Sequence, residues 1–156
     1  MAESQDMTSY PLIVAQYELE GPHPRRTEHW NLVVLQDPNH AHVFDIIGNH
    51  SNFQYYPYYT DRFSRMQRLQ GGCHVGTISA AQLKWLETRL RSVEIVYNDV
   101  NFDCQDWVLN ALRMLREDGL AITLTSEKTI REELKREQER WDVGDDTLED
   151  RLFLKE

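Results

Sequence analysis

Apolar residues fall in short dense blocks through the first half of the chain and at three- and four-residue spacing through the second. Leu12, Ile13, Val14, Ala15 and Tyr17 form one block, the length of a buried strand. Gly21-Pro22-His23-Pro24 ends it, because two prolines remove donors and exclude helix. A second block runs from His29 through Leu35, and a third from His42 through Ile47, closed by Gly48-Asn49. Asp37-Pro38-Asn39-His40 lies between them, so this pair predicts an antiparallel hairpin. Tyr55-Tyr56-Pro57-Tyr58-Tyr59 fits an edge strand broken by proline or an aromatic loop. Gly71-Gly72 reads as a further break before Cys73-His74-Val75-Gly76-Thr77. Ser79 is placed to cap a helix from Ala80 to about Leu90, with Leu83, Leu86 and Leu90 on one face. Val93–Tyr97 reads as a strand, and Asp103–Arg116 as a second helix ended near Gly119.

Past Ile122 the apolar stripe thins to Ile130, Leu134 and Trp141 over a predicted helix, Thr125–Trp141. Glu127–Glu156 carries 7 basic and 11 acidic residues, net −4. Either a solvated helix laid on the domain or a docking helix for a partner fits that pattern. The organisation predicted is a flexible leader over 1–10, one α+β domain over 11–124 and a charged helical extension over 125–156. In the domain an antiparallel sheet packs against helices.

Composition narrows the function classes. The 156 residues suit a single domain with a real core. A formal charge of −9 repels a phosphate backbone, and no basic patch offsets it, so nucleic acid is not an expected partner. No apolar run approaches the ~20 residues that span a bilayer, and none resembles a signal peptide, so a cytoplasmic protein is expected. Two cysteines make no disulfide framework. The sequence also lacks a phosphate loop, a dinucleotide fingerprint and a Gly-x-Ser-x-Gly elbow.

The segment richest in chemistry is Asp103-Cys104-Gln105-Asp106-Trp107. Asp103 is placed as the N-cap, with Asp106 three residues on to reciprocate. Cys104 then begins the helix, where unpaired N–H groups bias a thiol toward thiolate and can hold an oxyanion. The neighbouring Asp103 acts in the opposite sense. A thiol nucleophile needs a base within hydrogen-bond reach. Of the histidines His23, His29, His40, His42, His50 and His74, His29 is best placed, at the head of an apolar strand. A plain buried cysteine and a plain strand-end histidine are the alternatives.

The order of these parts resembles the permuted papain-like thiol hydrolases, nearest to the PPPDE group that includes desumoylating isopeptidases. The residues that carry it are His29-Trp30-Asn31-Leu32-Val33-Val34, then a strand ending at Gly48, His74-Val75-Gly76-Thr77 ahead of a leucine-rich helix, and Cys104 opening a later helix. The likeness spans about Leu12–Ile122. It implies Cys104 as nucleophile and His29 as base, no cofactor, and a peptide, ubiquitin-like protein or small acyl group as substrate. Asp103 stands where that group has Asn, and Gln105-Asp106-Trp107 replaces its usual polar pair and Phe.

A hairpin centred near Pro38-Asn39 sets Asn49 opposite His29 as the residue to orient its ring, with Asp45 about four residues further along the sheet. Gln105 is a candidate to offer its amide to an oxyanion. Trp30, Tyr55, Tyr56, Tyr58, His74 and Trp107 are the expected substrate-lining residues. A silent binding module with a tyrosine-rich cleft is the alternative function. His40-x-His42 with Cys73-His74 is the nearest approach to a metal set, and no metal is expected from it.

Overall fold

The computed structural model describes residues 8–19 and 28–143. Most of the expected leader, the His23 turn and the end of the C-terminal extension lie outside the described residues, as does the side chain of Trp141.

The strands are β1 (Ser9–Glu18), β2 (Glu28–Leu35), β3 (Ala41–Ile47), β4 (Gln54–Thr60), β5 (Leu69–Ser79) and the two-residue β6 (Ala121–Ile122). They form one sheet in the order β4-β3-β2-β1-β5-β6, every pair antiparallel. Three α-helices follow, α1 (Leu83–Leu90), α2 (Cys104–Glu117) and α3 (Glu127–Val143). The fold is therefore α+β, as the blocks of strand pattern followed by helix pattern predict.

Strand alternation divides the apolar side chains between the two faces. Leu12, Val14, Trp30, Leu32, Val34 and Phe44 join Leu86, Trp107, Leu112 and Leu134 in the larger core under the helices. Ile13, Ala15, Val33, Leu35, Val43 and Phe63 build a second, smaller core on the other face. Both faces of β1–β3 are covered, which is why these strands read as continuous apolar runs.

The hairpin forms as predicted, but its register is shifted by one residue from the expected centre. Leu35 pairs with Ala41 and Leu32 with Phe44. Asp37 sets this turn by accepting from the backbone N–H groups of Asn39 and His40 at 2.8 and 2.9 Å. Just past the last pair of this ladder the side chains of Asn31 and Asp45 are hydrogen-bonded, and Asn49 lies beyond the strand's end.

Two other expectations fail. Gly71-Gly72 does not break the chain but lies inside β5, where an added Cβ on Gly72 would meet Ile13 Cδ1 at 2.8 Å. Gly76 is required in the same way, with Ala121 O 2.6 Å from a Cβ placed there. Those glycines let neighbouring strands approach closely. Val93–Tyr97 is irregular coil. Its apolar residues Val93, Ile95 and Val96 pack against the main core without joining a ladder, and β6 takes the sheet edge beside β5.

Helix starts follow their caps. Ser79 and Gln82 form a capping box ahead of a short 3-10 turn that leads into α1. Gly119, with φ +92°, follows the end of α2, a conformation that favours glycine. Helix α3 lies on the sheet with Ile130 and Leu134 buried, so this part of its apolar stripe is covered by its own domain. Leu134→Ala should cost about 2–5 kcal/mol through the cavity left under α3, measured as a lower urea midpoint.

Candidate active site

Asp103 caps α2 from an extended conformation (φ −150°, ψ −168°). Its carboxylate accepts from Gln105 N, and the Asp103 N–H donates in return to Asp106 Oδ2 at 3.0 Å. The cap fixes the first helical residue, Cys104, and ties it to the sheet through its neighbour. Gln105 is fully buried, and its Nε2 donates to the backbone oxygen of Glu28 at 2.9 Å. The start of α2 is thus joined to the start of β2, one residue before His29.

His29 Nε2 lies 2.8 Å from Asp45 Oδ1, and Asn31 Nδ2 donates to Asp45 Oδ2 at 3.1 Å. Asp45 is nearly buried, whereas the His29 side chain is a quarter exposed. Cys104 lines the same cleft as His29 and lies near enough to act on the ionisation of its ring. Burial pushes the pKa of His29 down, but Cys104 and Asp45 outweigh it and hold the pKa well above the ordinary 6.5. Tyr17 flanks the ring, the two centroids 6.0 Å apart.

This cluster opens on a cleft of about 610 Å³. Leu19, Ile46, Ile47 and Phe53 supply apolar walls, Asn49, His50 and Asn98 polar ones, and His29 and Cys104 stand at its edge with Asp103. The two bounding loops are stitched together by Asn98 N to His50 O at 2.6 Å and Tyr97 Oη to Phe53 O at 3.0 Å. Asn98 takes a left-handed conformation, φ +59°, at the turn between them.

Several expected site residues are placed elsewhere. Asn49 lines the cleft but holds Ser51, through its N–H and its hydroxyl, and Asp45 is the residue bonded to His29. Asp45 lies within β3, where its Oδ2 also accepts from Asn31 on the neighbouring strand, whereas Asn49 lies past the end of β3. Gln105 cannot reach an oxyanion, because it is buried and its N–H groups face Glu28. Trp30 is buried, donates to Gln16 at 2.9 Å and lies under the Arg131 guanidinium. Trp107 is wholly within the core, and His74 is exposed on β5 opposite Ile13.

The tyrosines are on the edge strand, not in the cleft. Tyr55 donates to Glu87 O, while Tyr56 and Tyr58 lie beside each other. Pro57 sits in this edge strand, where a missing N–H is tolerated. Burial raises the hydroxyls of Tyr55 and Tyr58, the latter to about 12, so both are neutral hydrogen-bonding groups. Among the described residues there is no group of three or more metal-ligating side chains. His40 is held by Asp37, and His42 lies beside Tyr59, with burial lowering its pKa. Both cysteines are free thiols.

Helix start, strand end and cleft together define an α+β protein in which a cysteine and a histidine line one cleft and an aspartate is bonded to the histidine. Residues 14–121 match DUF6540, a family of unknown function, and the chain belongs to that family. No curated protein and no solved structure matches the chain. No helix among the described residues is long and apolar enough to cross a membrane.

Proposed function

We propose that this protein is a cysteine-dependent hydrolase or acyltransferase acting on an amide, isopeptide or thioester bond, built as a permuted papain-like domain. One observation carries the reading: His29 is bonded to Asp45 through one ring nitrogen, and His29 and Cys104 line the same open cleft, near enough for Cys104 to raise the pKa of the ring. Histidine on an early hairpin and cysteine opening a later helix are the order the resemblance implies.

In this mechanism His29 takes the thiol proton and Cys104 Sγ attacks the substrate carbonyl carbon. The bond to the leaving group breaks and His29 returns the proton to that group. Water, activated by the same imidazole, then splits the thioester and restores the thiol. Asp45 keeps the ring in the orientation that presents its other nitrogen to sulfur, and Asn31 keeps Asp45 in place. The oxyanion has fewer donors than helix starts usually offer. Asp103 already engages the N–H groups of Gln105 and Asp106, which leaves the Cys104 N–H.

Iodoacetamide alkylation of the folded protein, mapped by peptide mass, tests the dyad. Cys73 is 1% exposed and serves as the internal comparison. The expected result is labelling of Cys104 ahead of Cys73, slowed at least ~10-fold in His29→Ala at neutral pH. Equal rates in the two proteins would remove His29 as the base.

A further inference from the structure

We infer that the cleft selects an uncharged, apolar acyl group and rejects an acyl group that carries its own carboxylate. This rests on the proposed thiol chemistry and names the substrate class for it. The cleft volume of about 610 Å³ falls within the range of small-molecule sites, ~300–1,000 Å³. Part of its wall is aliphatic or aromatic: Ile46 and Phe53 are nearly buried, and Ile47 is a partly exposed wall residue, 42% accessible.

Charge decides what else can enter. No lysine or arginine is among the described residues lining the cleft, and Asp103 places a carboxylate there. A protonated His29 is the cation of the reacting pair, but Asp45 lies 2.8 Å away, so its charge is already matched. The start of α2 favours an anion through its backbone N–H groups, and Asp103 and Asp106 already occupy that position. Among the described lining residues a substrate carboxylate would find neutral amides such as Asn98 in place of its water, and no lysine or arginine to match its charge. An aliphatic chain loses only unfavourable contact with water against these walls.

The step balances without a cofactor. Cys104 Sγ forms a thioester to the acyl carbon, the alcohol, thiol or amine leaves with the proton from His29, and water releases the acyl group as its acid.

The test uses the full chain with 4-nitrophenyl butyrate and 4-nitrophenyl hydrogen succinate, two active esters of similar length that differ in a terminal carboxylate. Nitrophenol release gives kcat/KM, and intact mass gives the adduct on Cys104. Butyrate should exceed succinate at least ~10-fold, since an unpaired charge set against a like charge is strongly disfavoured. Ile47→Lys, on that wall, should narrow that ratio by supplying the missing cation. Equal kcat/KM for the two esters, with adducts on Cys104, would overturn the selectivity and leave the thiol chemistry standing. No adduct from either ester would overturn the thiol chemistry and this inference with it.

Discussion

Asp45→Asn should lower the rate of Cys104 acylation by ~10²–10⁴-fold while leaving the protein folded. The carboxylate oxygen 2.8 Å from His29 Nε2 is the group that fixes the ring, and an amide of the same shape can present N–H in its place. The histidine then loses both the acceptor that sets its tautomer and the charge that favours its protonated form. A steady-state assay with butyryl ester reads the loss, and far-UV circular dichroism checks the fold. Wild-type rates in Asp45→Asn would remove Asp45 from the mechanism.

The same substitution has a proton signature that a merely structural residue would not produce. Burial drives the His29 pKa down, and Cys104 and Asp45 more than reverse it. Without Asp45 the midpoint of the His29 ring resonances should move to lower pH. Stability follows with a defined sign. A histidine whose pKa is raised on folding contributes stability that is complete below the unfolded value of ~6.5, and this is lost as pH rises through the higher folded value. The wild type should therefore exceed Asp45→Asn most in Tm at mildly acid pH, with the gap closing as the medium becomes alkaline.

The largest effect on stability is expected at Trp107. Its side chain is fully buried among the residues of the main core, and its ring lies 5.9 Å from Tyr55. Trp107→Ala should cost about 3–5 kcal/mol, combining lost burial with a cavity beneath α2. For a chain of this size that corresponds to a fall of roughly 10 °C in Tm. The buried Nε1–H has no hydrogen-bond partner among the described residues. Trp107→Phe keeps most of the ring volume and removes that unpaired donor, so it should restore stability to within ~1–2 kcal/mol of wild type. Thermal unfolding of the pair separates the packing contribution from the polar one. A Trp107→Ala protein with unchanged Tm would contradict the placement of this side chain.

Much of the site was legible in local sequence. His29 heads an apolar strand, and Asp103 with Asp106 announces the helix that Cys104 begins; both signals depend on residues within a few positions of one another. That the two meet was implied by resemblance alone, since nothing local brings residues 75 positions apart together. Gln105 supplies part of the answer. Its amide joins the helix start to Glu28, a bond invisible in a sequence that places Gln105 on an ordinary first turn.

Hydrophobic spacing and capping by themselves determined the hairpin, the three helices and an α+β domain, because burial period and unsatisfied helix-end donors are properties of neighbouring residues. Three-dimensional packing decided the rest. Asp45 takes the place expected for Asn49 because it lies within the strand beside Asn31 and His29, whereas Asn49 falls past the strand's end and is held in its own turn by Ser51. Gly72 and Gly76 lie within a strand because adjoining strands crowd them, a distance no run of glycines encodes. The tyrosines fall on an edge and the cleft forms between two loops, since strand order and loop contact are set by the whole chain.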